Sequence, residues 1–121
     1  MTMVLVDTSI CVSHLRKGNP HLALLLSNGK VVCHPFVVGE LACGNIKNRE
    51  EILSLLQALP MAETARHQEV LHSIGHRQVM GKDLGYIDVQ LLASALLTRI
   101  PLWTSDRCLN ATSAELGLSC R

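Results

Sequence analysis

Aromatic side chains are nearly missing from this 121-residue chain, in which Phe36, Tyr86 and Trp103 are the full set. Three scattered rings exclude an extended base-stacking platform of the kind that sequence-tolerant single-strand binders use. Charge of one sign is missing too, since 11 Lys plus Arg stand against 10 Asp plus Glu. That balance excludes the broad basic field behind avid, sequence-blind nucleic-acid binding, so any such contact must be local. No apolar run is long enough for a membrane span. The first one, residues 3–6, has no basic lead and stops at Asp7, so no signal peptide is expected and the protein is read as soluble and cytoplasmic. A phosphate-cradling loop is also absent, because Gly81-Lys82-Asp83-Leu84-Gly85 fits neither the P-loop nor the dinucleotide pattern. No serine lies in a G-x-S-x-G context, which leaves a serine nucleophile without support. The five cysteines are odd in number, form no C-x-x-C pair and fall mostly in apolar stretches, so they read as reduced core residues. His72 and His76 are four apart, but the intervening Ser-Ile-Gly lacks the Glu of a zinc-protease motif. They read as solvated helix residues, with His14, His21 and His67 scattered and His34 a strand-end residue before Pro35.

The chain is rich in apolar residues, at 48% of the sequence and a mean hydropathy of +0.26. Its length suits one domain over residues 1–121, and a domain this small has more apolar surface than one core can hide, so a homodimer is expected. Short apolar runs at 3–6, 31–33 and 102–103 each precede a segment of helical spacing. Helices are expected from Asp7-Thr8-Ser9 to about Leu15, from Pro20 toward Ser27, and from Pro35 to near Gly44. Others span 50–59, with a one-sided apolar stripe ended by Pro60, then 66–79, then a nearly all-apolar and hence central 87–97, and a short one over 111–116. Strands alternating with helices predict a doubly wound α/β domain with a parallel sheet, whose ligands collect beyond the carboxyl ends of the strands.

Four acids interrupt the apolar stretches: Asp7 after Val4-Leu5-Val6, Glu40 within Val37-Val38-Gly39-Glu40-Leu41, Asp88 at the head of 87–97, and Asp106 after Trp103-Thr104-Ser105. Carboxylates in apolar surroundings are costly to desolvate unless a cation compensates. No Lys or Arg adjoins Asp7, Glu40 or Asp88, and a hard divalent ion such as Mg²⁺ or Mn²⁺ suits an oxygen-only set. Each acid also has an ordinary reading. Asp7 and Asp106 can cap the helices that follow, and Asp88 can complement a helix dipole. Glu40 resists this, because Phe36, Val37, Leu41 and Cys43 flank it on a helix and leave it little solvent face. Basic residues such as Arg16, Lys17, Lys47, Arg49, Arg77, Lys82 and Arg107 read individually as solvated charges, a few of which could grip phosphates.

Taken in order, Val6-Asp7-Thr8-Ser9, His34-Pro35 through Gly39-Glu40-Leu41-Ala42, Gly85-Tyr86-Ile87-Asp88 through Ala95, and Leu102-Trp103-Thr104-Ser105-Asp106-Arg107 resemble a PIN-domain ribonuclease of the VapC toxin type, nearly end to end. The resemblance implies an α/β/α sandwich around a mostly parallel sheet of four to five strands. It also implies Mg²⁺- or Mn²⁺-dependent cleavage of RNA such as transfer or ribosomal RNA, a homodimer, and inhibition by a VapB-type antitoxin. By position it makes Asp7, Glu40, Asp88 and Asp106 the catalytic and metal-binding acids, with Ser9 and Thr104 supporting them. Asp83 departs from the pattern, standing where a glycine is common in the loop before the third acid. Two other readings remain: a catalytically silent binding module on the same fold, and a phosphotransfer receiver domain. The receiver wants adjacent acids at the first strand and a late Lys at a strand end, neither of which is present.

Overall fold

Strand β1 (Val4–Val6) runs along the centre of a parallel sheet, between β2 (Val31–Val32) and β3 (Leu102–Trp103). The structure is a computed structural model and describes residues 2–120. Val4 pairs with Val31 and Leu5 with Val32 on one side, while Leu5 pairs with Leu102 and Val6 with Trp103 on the other. The four to five strands expected are three among the described residues. Single parallel bridges, Cys33 with Met61 and Leu102 with Ser119, stand where the outer strands would lie. Pro60 lies directly before Met61, and a proline has no N–H to give a ladder, so pairing there ends after one bridge.

Seven helices complete the described chain: α1 (Thr8–Lys17), α2 (Pro20–Ser27), α3 (Pro35–Cys43), α4 (Arg49–Gln57), α5 (His67–Arg77), α6 (Tyr86–Thr98) and α7 (Arg107–Glu115). Pro20 and Pro35 open α2 and α3, where a missing N–H costs nothing. The last helix starts four residues earlier than its apolar spacing suggests, because the Asp106 carboxylate caps it through the Leu109 N–H.

Strand alternation sorts the core onto two faces. Val4 and Val6 enter a cluster with Ile10, Leu22 and Leu25 from α1 and α2. Leu5 faces the other way, into the main core with Val37 and Leu41 of α3 and Leu91 and Leu92 of α6. Helices on both sides of the sheet make the α/β/α sandwich. As its all-round apolarity predicts, α6 is central, with every residue from Val89 to Ala95 buried. The cysteines are all free thiols, as expected, but Cys33 alone is fully buried and Cys43 is exposed. Asp83 has a φ of 60°, the left-handed region where glycine is at ease and Asp is tolerated better than most residues.

Candidate active site

Sheet order places the carboxyl ends of β1 and β3 side by side, with the connection from β1 running to β2 on one flank and that from β3 returning at Ser119 on the other. A crevice opens at such a point. Asp7 follows β1 directly, and its backbone N–H donates to the Trp103 carbonyl at 3.0 Å, which pins the two strand ends together. Its side chain is buried at 6% exposure and held by three donors. The Thr8 N–H donates to Oδ1 at 2.7 Å, while the Ser9 and Thr104 hydroxyls donate to Oδ2 at 2.9 and 2.7 Å. Each hydroxyl then accepts a backbone N–H, Ser9 from Ser105 at 3.1 Å and Thr104 from Asp106 at 3.0 Å. A hydroxyl has one proton, and both protons point at Asp7, so the 3.3 Å approach of Ser9 Oγ to Thr104 Oγ1 adds no third bond. Of the roughly four lone-pair positions of a carboxylate, three are used and one is left.

The other acids are held more loosely. Glu40 accepts the Thr8 hydroxyl through Oε1 at 2.6 Å, a bond that ties α3 to the first turn of α1. Asp88 accepts the Gly85 N–H through Oδ2 at 3.1 Å, and Asp106 accepts the Leu109 N–H through Oδ1 at 2.9 Å. In each of the three the second oxygen has no protein donor among the described residues. The ordinary capping readings of Asp7, Asp88 and Asp106 are therefore true, and each cap leaves acceptor capacity over.

Asp88 feels the other three charges. The Asp88 carboxyl is pushed above the usual carboxylate range, first by desolvation and then by repulsion from Asp7, Asp106 and Glu40, against the lowering effect of the Gly85 N–H. No Lys or Arg forms an ion pair with any of the four among the described residues. One expectation needs correction: Glu40 is exposed, not enclosed. The helix buries Val37 and Leu41 against the core, which turns Glu40 outward over the crevice. Asp106 is exposed as well.

An oxygen-only set of carboxylates without a neighbouring cation has the donor chemistry of a hard divalent ion. No three His, Cys, Asp or Glu side chains among the described residues stand close enough to enclose an ion together. A cysteine nucleophile is excluded at this end of the sheet, since burial drives the Cys11 thiol up to about 12, helped by Cys33 and Asp7.

Thr8 escaped the sequence reading, where it served only as a helix cap. Its signal was its position beside the first acid in the first turn of a helix, but the partner lies 32 residues away. A second unforeseen group is a buried polar chain joining α3 to α6. The Phe36 N–H donates to His34 Nδ1 at 2.9 Å, which puts the ring proton on Nε2 and aims it at Ser94 Oγ, also 2.9 Å away. Ser94 donates to Gln90 Oε1 at 3.3 Å, and Gln90 exchanges two bonds with the Ala65 backbone at 2.8 and 3.0 Å. Burial lowers His34 to about 4, so the ring is neutral at physiological pH. Glu40 and Asp88 ride on the two helices that this chain links.

Comparison with known proteins bears on the family and the fold. The family model described as "PIN domain" matches residues 4–115, and the chain belongs to that family. Within it the chain is of the VapC type. It is 43% identical over 118 residues to "Ribonuclease VapC32" of Mycobacterium tuberculosis, in strains CDC 1551 / Oshkosh and ATCC 25618 / H37Rv, covering 97% of this chain and 95% of each relative. The crystal structure of PAE2754 from Pyrobaculum aerophilum shares the fold, with a TM-score of 0.64 at 17% identity over 92% of this chain and 84% of that one.

Proposed function

We propose that this chain is a VapC-type toxin, an endoribonuclease that hydrolyses RNA phosphodiester bonds with Mg²⁺ or Mn²⁺. The observation that carries the reading is the Asp7 carboxylate, fixed at the end of β1 by Thr8, Ser9 and Thr104, together with an Asp88 carboxyl that feels Asp7, Asp106 and Glu40. Asp7, Glu40, Asp88 and Asp106 would hold the ion, directly or through water. When bound, the ion supplies a water of lowered pKa and neutralises charge on the phosphoryl oxygens. Ser9 and Thr104 keep Asp7 from turning away, and Thr8 does the same for Glu40. Asp106, exposed and with Oδ2 free, orients the attacking water. Transfer or ribosomal RNA is the expected substrate, a VapB-type antitoxin the inhibitor, a homodimer the assembly, and the cytoplasm the place of action. No helix among the described residues is long and apolar enough to cross a membrane. A silent binding module has no observation in its favour, since all four acids are present with acceptor oxygens to spare.

The test is cleavage of an RNA pool by the purified protein with Mg²⁺, with chelator, and with Asp7→Asn. Fresh RNA ends should appear with Mg²⁺ alone. Asp7→Asn should lose more than about 100-fold in rate, beyond the 10–100-fold typical of outer-shell partners, while keeping its fold. A purified Asp7→Asn protein that cleaves at the parent rate would refute the assignment.

A further inference from the structure

A groove of about 640 Å³ lies between α1 and the α3–α4 pair, and Thr8 and Glu40, one of the four acids, are among its lining residues. This is the size class that receives a nucleotide-sized ligand. Val12, Leu41 and Ile52 contribute apolar wall, while Arg16 and Lys47 supply positive charge. Neither cation forms an ion pair or side-chain hydrogen bond among the described residues, so neither is needed to hold the fold. The amides of Asn45 and Asn48 also line the groove without a side-chain hydrogen bond, and Asn48 stands before α4 in left-handed conformation without capping it. Two free cations and two free amides above apolar wall, sharing the lining with Glu40, match an anionic ligand that carries a flat, hydrogen-bonding base.

We propose that this groove is the seat of one unpaired ribonucleotide next to the scissile bond, with Arg16 and Lys47 on flanking phosphates and Asn45 and Asn48 on the base edge. The assignment rests on reading the acids as an RNA-cleaving centre. It makes cleavage depend on a local single-stranded stretch, because a base within an A-form duplex cannot leave its stack to enter a pocket. It also reconciles a net charge of +1 with an RNA substrate, since two cations act where they are needed and no broad field is required.

The experiment measures binding of a fluorescent oligoribonucleotide to the Asp7→Asn protein, so that affinity is read without cleavage. Adding Arg16→Ala and Lys47→Ala should weaken binding severalfold. It should also flatten the slope of log affinity against log salt by about 0.7 for each lost contact to single-stranded phosphate. Arg77→Ala removes an equal charge from α5, far from this groove, and should leave both values as they were. Arg16→Lys should recover most of the affinity lost in Arg16→Ala, and a fully paired oligonucleotide should bind less well than one with an unpaired stretch. In otherwise unmodified protein, the double change should raise KM more than it lowers kcat. The proposal is overturned if affinity, salt slope and KM are all unmoved, or if the variants lose only inhibition by the antitoxin, which would assign the groove to the protein partner. Failure of the nuclease reading shows up separately, as unmodified protein that cleaves no RNA while the binding results still decide the groove.

Discussion

Helices α3 and α6 each carry two kinds of polar group, and the contrast between them separates what holds this fold from what works in it. On the buried side, each nitrogen and oxygen atom of the His34, Ser94 and Gln90 side chains has a partner, and no buried side-chain N or O atom among the described residues lacks one. At the crevice, Glu40, Asp88 and Asp106 each spend one oxygen on the protein and keep the other. Complete pairing fixes the helices relative to each other. Incomplete pairing leaves charge for something outside the chain to satisfy. A core with unmet acceptors would be unstable, and an acid site with none would be inert.

The sharpest way to break the contrast is to remove what the crevice awaits. Chelating the divalent ion should abolish RNA cleavage while leaving the helical circular dichroism intact, and restoring Mg²⁺ should recover the rate. Next in size is damage to the satisfied cluster. Gln90→Leu strands the Ala65 N–H and carbonyl and takes an acceptor from Ser94, and each stranded buried group costs about 1–3 kcal/mol. Thermal unfolding should show a drop of several degrees, together with a looser Mg²⁺ dependence of cleavage as Glu40 and Asp88 lose their fixed separation. Thr104→Val keeps the shape but removes both the donor to Asp7 and the acceptor for the Asp106 N–H. Activity or Mg²⁺ affinity should fall by about 10–100-fold, with little change in melting temperature.

Two pH effects of opposite sign give the finest test. His34 binds its proton less readily folded than unfolded, so its contribution to stability is full above pH 6.5 and is lost as pH falls toward about 4. Asp88 binds its proton more readily when folded, so metal-free protein loses stability as pH rises from the ordinary Asp value of 3.8 through the raised one. Denaturant titrations across this range should show Asp88→Asn removing the second trend and leaving the first. Saturating Mg²⁺ should also suppress the second trend in the unmodified protein.

The elements most visible in the sequence were those with a local cause. Helix α6 announces itself by an apolar surface all round, α2 and α3 by their prolines, and β1 by Val4-Leu5-Val6 running into Asp7. The four acids were legible because charge is conspicuous in apolar surroundings, yet the reason given for Glu40 was wrong. Its neighbours in sequence are apolar, but which side of α3 meets the core is decided by β1, β2 and α6, and sequence spacing does not contain them. Thr8 and the His34 chain were invisible for the same reason, since their partners lie 32 and 60 residues away. The sheet fell short of its expected width because pairing beyond β2 and β3 shrinks to single bridges, which no run of apolar residues marks.

The bond from Thr104 to Asp7 spans 97 positions of the chain and joins the first strand to the last. A chain made from its amino end holds Asp7 through Thr8 and Ser9 alone until Thr104, its third donor, is in place. The centre therefore closes only when β3 slots in beside β1, the last strand completing what the first begins.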